Sequence, residues 1–205
     1  FAMTGYSQGG YVVSASSEIN SAQPAWNVFD NGTDTSVGTY WQSGTMYNSG
    51  NWTGSTVQFT DTAGGQHSGE WIKLKMPHKL RLNYISYLST YSPYMPKDFV
   101  ILGSNDDNTW TLLKSVTGGT AVEDVYHDLI INANHSYKYF VWLTSAINGT
   151  SPEVVITELK LYGHRENDLV RLPDPTNVLK YPHIAMTGPA QRGYVASGSS
   201  EHSSS

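Results

Sequence analysis

The sequence predicts an all-β protein of antiparallel strands, a sandwich or a barrel, and three observations carry that expectation. Strand-like runs recur at short intervals, turn signals separate them, and helical periodicity is almost absent. Composition agrees. Ser (24), Thr (19) and Gly (19) dominate, 14 Tyr and 6 Trp help bring aromatics to 12%, and charged residues reach only 14%. Usual helix formers are scarce. With 39% hydrophobic residues in a chain of 205, a sizeable core can be filled, which argues against disorder.

Taken in order, the first strand is 11–15 (YVVSA), and a helical turn or two fits 23–30 (QPAWNVFD). Strands follow at 56–60 and at 70–75, where Trp71, Lys73 and Lys75 alternate with Ile72, Leu74 and Met76. The runs 80–88 and 98–103 come next. Asn105-Asp-Asp-Asn108 then turns the chain into 110–116, and Gly118-Gly119 marks the following turn. Strands at 125–129, 137–143 and 154–162 complete the set.

Several function classes fall away. A net charge of −5 with 12 Lys+Arg and no basic run argues against nucleic acid or an anionic membrane as a charge-driven partner. No cysteine is present, which removes disulfides, thiol catalysis and Cys-ligated metals. The longest apolar–aromatic run, Tyr139-Phe-Val-Trp-Leu143, is too short to cross a bilayer. Sequons at Asn31, Asn51, Asn134 and Asn148 carry little weight in a chain this rich in Asn, Ser and Thr. The seven histidines (67, 78, 127, 135, 164, 183 and 202) show no HExxH or His-x-His spacing and no neighbouring acid pair. No nucleophile elbow, P-loop or GxGxxG run occurs, and Asp106-Asp107 and Glu123-Asp124 lie in turns. The chain reads as non-catalytic.

Its ends repeat each other. Residues 1–18 (FAMTGYSQGGYVVSASSE) and 184–201 (IAMTGPAQRGYVASGSSE) are identical at 12 of 18 positions, at an offset of 183. Between them, 165–177 breaks strand alternation with two prolines and mixed charge, as a semi-rigid linker would. The expected organisation is a domain at 1–163, a linker at 164–183 and the start of the next tandem copy at 184–205.

Six segments follow one another along the first copy: SASSE at 14–18, AWNVFDNGTDT at 25–35 with Tyr40-Trp41-Gln-Ser43 after it, GEWIKLKMP at 69–77, KDFVILGSNDDNTWTLL at 97–113, YKYFVWLT at 137–144 and ITELKLYG at 156–163. In this order they resemble the coagulation factor V/VIII type C, or discoidin-like, family, which includes the family 32 carbohydrate-binding modules. The resemblance covers residues 10–163. It implies an antiparallel eight-stranded jelly-roll β-sandwich, galactose-binding-domain-like, whose loops at one end bind ligand. The missing cysteines depart from the animal members, which staple the domain's ends, and fit bacterial or viral modules better.

The segment 27–35 packs oxygen donors into a short turn, which suits a hard cation but equally an ordinary Asx turn. Here the resemblance implies a structural calcium site. Asp30 and Glu158 would supply carboxylates, Asn27, Thr33 and Thr157 backbone oxygens, and Thr35 a hydroxyl or carbonyl.

A sugar site needs a flat aromatic face and a few fixed polar groups, carried on loops. The polar stretch 44–69 offers Tyr47 and Trp52, the loop 90–96 offers Tyr91 and Tyr94, and 146–151 offers Asn148. Trp26, Trp71, Trp110 and Trp142 read as core, and Trp41 matches a family tryptophan that is structural. The galactose-binding constellation of Arg, His and an acid or amide is not visible, since no Arg occurs in residues 1–80. The leading expectation is a non-catalytic glycan-binding or adhesion module on an extracellular, cell or virion surface, with a glycan and neighbouring copies as partners. A spacer domain of a surface fibre is the alternative. Phospholipid binding is a third reading, for which Tyr91, Tyr94, Met95 and Lys97 form a poor apolar spike.

Overall fold

One 19-residue strand organises the protein. The computed structural model describes residues 2–32, 38–120 and 122–166, together with strand residues 190–191 and 194–195. The chain divides into two units, Phe1–Glu166 and Asn167–Ser205. In the first, the strands are β1 (Ser7–Gln8), β2 (Tyr11–Ala15), β3 (Trp41–Gln42), β4 (Tyr47–Asn48), β5 (Asn51–Trp52), β6 (Phe59–Thr60), β7 (Gln66–His67), β8 (Glu70–Leu88), β9 (Pro96–Ser104), β10 (Trp110–Val116), β11 (His127–Ile130), β12 (Tyr137–Ile147), β13 (Val155–Ile156) and β14 (Glu158–Arg165). The expected helical turn is a 3₁₀ turn at Ala25–Phe29.

β8 merges the two predicted strands 70–75 and 80–88. Its first half pairs with β2 and β12, and its second half with β11 and β14. The change comes where Pro77 removes a donor. Opposite it, β12 jumps from pairing Tyr139 with Lys75 to pairing Tyr137 with Leu80. Five main strand segments therefore form one layer (β2, early β8, β12, β9, β10) and three the other (β11, late β8, β14). Ile72, Ile101, Phe140 and Trp142 of the first layer face Ile85, Leu159 and Leu161 of the second. Phe99 stacks on Trp142 at 4.3 Å, and Tyr87 meets Trp142 at 5.0 Å. This is an antiparallel eight-stranded β-sandwich.

The predicted strand 56–60 shrinks to the short β6, paired with β7. Its Phe59 does not serve a loop surface. It covers the outer face of the five-stranded layer, edge-on to Trp71 at 5.6 Å and Trp110 at 5.1 Å. Part of the polar stretch 44–69 is thus a lid over a second apolar cluster of Leu102, Val141 and Leu143.

In the second unit, β15 (Ala190–Gln191) pairs with β16 (Tyr194–Val195) antiparallel. Gln191 stands opposite Tyr194 and Ala190 opposite Val195, the register that Gln8–Tyr11 and Ser7–Val12 adopt 183 residues earlier.

Candidate ligand and metal sites

At one end of the sandwich, β3 and β13 pair with Gln42 opposite Val155 and Trp41 opposite Ile156. Strand alternation sends Trp41 and Ile156 fully into the core. Gln42 and Val155 are left facing a concavity of about 170 Å³, closed by Tyr40, Tyr91 and Tyr94. Tyr91 meets Tyr40 edge-to-face at 5.8 Å and Tyr94 at 6.2 Å. Tyr94 sits in a 3₁₀ turn, Ser92–Tyr94, begun by Pro93. Among the described residues, no charged side chain lines this concavity.

The structure brings Tyr91 and Tyr94 together and sets Asn148 beside their loop. Asn148 is exposed, and its backbone N–H donates to the Met95 carbonyl at 2.9 Å. Gly149 permits this approach, since a Cβ there would lie 2.5 Å from the Pro93 Cα. Tyr47 and Trp52 lie elsewhere. Tyr47 is buried, its hydroxyl donating to the Thr144 carbonyl at 2.8 Å. Trp52 is half-buried, with its Nε1 3.4 Å from Glu70 and its ring against Gly54. Both pack as core aromatics. Sequence reasoning missed Tyr40, Gln42 and Val155, although the alternation of Tyr40-Trp41-Gln42 against Val155-Ile156 was a usable signal. Met95 is only 1% exposed, so the apolar spike weighed for phospholipid is not presented.

The second site lies where the 3₁₀ turn meets β14. The Asn27 side-chain amide donates to the carbonyls of Gly38 (2.8 Å) and Tyr40 (3.2 Å), which fixes its orientation. Its Oδ1 is then buried without a partner among the described residues. Asp30 closes the turn and accepts the Gly32 N–H at 2.6 Å. Glu158 is 1% exposed and takes the Asn31 N–H, yet its Oε2 has no partner among the described residues. Burial first, and then the Asp30 charge, push its carboxyl up to about 8. Burial raises Asp30 as well.

Asn27 Oδ1 and Glu158 Oε2, both buried and without a partner among the described residues, lie with the Asp30 carboxylate where an oxygen-seeking cation would complete them, so the residues present fit calcium. Among the described residues no group of three or more His, Cys, Asp or Glu that could hold a metal ion comes together. Thr157 is buried, with its hydroxyl 2.7 Å from that of Thr90. Thr33 and Thr35 lie outside the described residues.

One histidine has an acidic partner that spacing alone did not reveal. His67 Nε2 lies 2.8 Å from Asp61 Oδ2. The other bonds of Asp61 go to the N–H groups of Ala63 and Gly65 in its own turn. Its carboxyl is held below the usual range, chiefly by the His67 hydrogen bond. The pair fastens the β6–β7 hairpin that carries Phe59.

No family model matches the chain, and no curated protein matches it. Solved structures do. The family 32 module of Clostridium perfringens NanJ, in complex with galactose, is 17% identical with a TM-score of 0.50, covering 74% of this chain and 93% of its own. A second C. perfringens family 32 module, in complex with GalNAc-β-1,3-galactose, gives 14% identity and a TM-score of 0.53 over 76% and 96%. Chitosan-binding module 2 from Paenibacillus sp. IK-5, in complex with chitotriose, gives 14% and 0.52 over 75% and 97%. At these identities the likeness speaks for architecture: the chain has the discoidin-like β-sandwich fold of the family 32 carbohydrate-binding modules.

Proposed function

We propose that the protein is a non-catalytic glycan-binding module whose ligand sits in the Tyr40–Gln42–Tyr91–Tyr94 concavity. The observation that carries this reading is chemical. Among the described residues, three tyrosines, the Gln42 amide and Val155 line the hollow and no charged side chain does, which suits the C–H face and hydroxyls of a neutral sugar. Structural neighbours captured with galactose, GalNAc-β-1,3-galactose and chitotriose support it. Titrating the chain with these three sugars, followed by tyrosine and tryptophan fluorescence, tests it. A saturable change with at least one is expected, and no change with any would overturn it and favour a spacer.

Calcium at Asn27, Asp30 and Glu158, with Thr33, Thr35 and Thr157 as further donors, would clip the 3₁₀ turn to the last strand. The chain's two units are read as successive copies in a tandem array on an extracellular, cell or virion surface, where weak single sites gain by avidity. The shared hairpin register supports this. So does the recurrence of residues with structural partners in the first unit. Thr4, bonded to Gln8, recurs as Thr187 with Gln191, and Ser16 and Ser17, bonded to Glu70, recur as Ser199 and Ser200.

A further inference from the structure

The tripeptide Asn-Gly-Thr occurs at 31–33 and again at 148–150. An asparagine before glycine exposes its side-chain amide to the next backbone nitrogen, because glycine has no Cβ to block the approach. With the same three residues at both places, local sequence gives both a similar intrinsic reactivity. The fold makes them different.

At the first place the Gly32 N–H donates to the Asp30 carboxylate at 2.6 Å. Removing that proton would break the bond and leave a negative nitrogen beside a carboxylate, which like-charge repulsion opposes. The Asn31 N–H is also engaged, by Glu158. At the second place Asn148 is exposed, and its side chain has no hydrogen-bond partner among the described residues. Nor has the Gly149 N–H. The reacting atoms there are free.

The same segment is clamped on both sides. Ile147 donates its N–H to the Gly50 carbonyl at 2.8 Å, and a Cβ on Gly50 would lie 2.7 Å from the Gly149 oxygen. On the other side Gly149 abuts Pro93, in the turn that carries Tyr94. A main chain lengthened by a methylene between Asn148 and Gly149 would have no slack to absorb it.

We propose that Asn148 is a deamidation site whose products disable the tyrosine concavity, the second half of which rests on the sugar-binding reading of that hollow. The Gly149 nitrogen bonds to Asn148 Cγ, and the side-chain amide nitrogen leaves as ammonia, taking the Gly149 proton. Water then opens the cyclic imide at either carbonyl, giving aspartate or isoaspartate. Both products place a negative charge beside a hollow that has no charged lining among the described residues. Isoaspartate also lengthens the main chain against Pro93.

The test incubates the full chain at mildly alkaline pH, in native buffer and in urea, and maps its peptides by mass spectrometry. In urea Asn31 and Asn148 should convert at similar rates, whereas in native buffer Asn148 should convert several-fold faster. Sugar titration of the same samples should show the converted fraction binding at least about tenfold more weakly. Asn148→Gln, whose longer side chain closes the ring far more slowly, should keep whatever affinity it starts with. The idea is overturned by an intact Asn148 in the folded chain, by equal conversion at the two places in native buffer, or by converted chains that bind sugar as before. Fresh protein that binds no sugar contradicts the reading of the concavity instead, and the peptide masses alone then decide the modification.

Discussion

Glu158 on the last strand of the first unit is buried within reach of the Asp30 charge, and that charge adds to burial in pushing the Glu158 carboxyl up to about 8. With an ordinary carboxyl value of 4.5, the folded chain without metal holds a proton that the unfolded chain releases. Between about pH 4.5 and 8 the folded state binds more protons, so stability falls as pH rises through that window. In chelator, the melting temperature should therefore decline from pH 5 to pH 8, while added calcium raises it most at the alkaline end. Glu158→Gln should remove both the decline due to this residue and the calcium response. A wild-type melting temperature that stays flat or climbs with pH in chelator, and ignores calcium, counts against the clip.

A second buried carboxylate is fully engaged. Glu70 is 3% exposed and accepts the Ser16 hydroxyl at 2.6 Å, the Ser17 hydroxyl, and the Trp52 Nε1–H at 3.4 Å. Glu70→Ala strands those donors beneath the N-terminal segment. Urea denaturation should show a loss on the order of 3 kcal/mol. A loss under about 0.5 kcal/mol, the range of an ordinary surface change, would mean that the cluster contributes little.

Gly149 couples the loops of the concavity. A methyl group there must displace the Pro93 backbone, 2.5 Å away, and with it the turn that carries Tyr94. Gly149→Ala should weaken glycan binding several-fold while shifting the melting temperature only slightly. Calorimetry of both properties on one preparation separates the outcomes, and unchanged affinity would show that the turn can give way without cost.

Much of the fold was legible because strand alternation is a local signal. The runs 11–15 and 110–116 match β2 and β10 residue for residue. The break expected between 75 and 80 is instead a bend within one strand, because Pro77 falls where the β12 ladder is already interrupted. The candidate site was legible where aromatics sit on a short loop, as at Tyr91 and Tyr94, whose rings the structure brings together. It was not where burial depends on distant partners. Tyr47 looks like a loop residue until Thr144, 97 positions away, takes its hydroxyl. Gln42 looks like core until Val155 sets its face. His67 and Asp61 are six residues apart, and only the β6–β7 turn brings them together.

The central claim is that the tyrosine-lined concavity binds neutral sugar, and a glycan array probed with the chain and with its Tyr91→Ala/Tyr94→Ala variant tests it most directly. Tyr91 is 36% exposed, so the variant should fold. The account predicts binding to one or more neutral glycans that falls at least about tenfold in the variant, with the melting temperature nearly unchanged. Binding of equal strength by both proteins, or none to any neutral glycan by either, would contradict it.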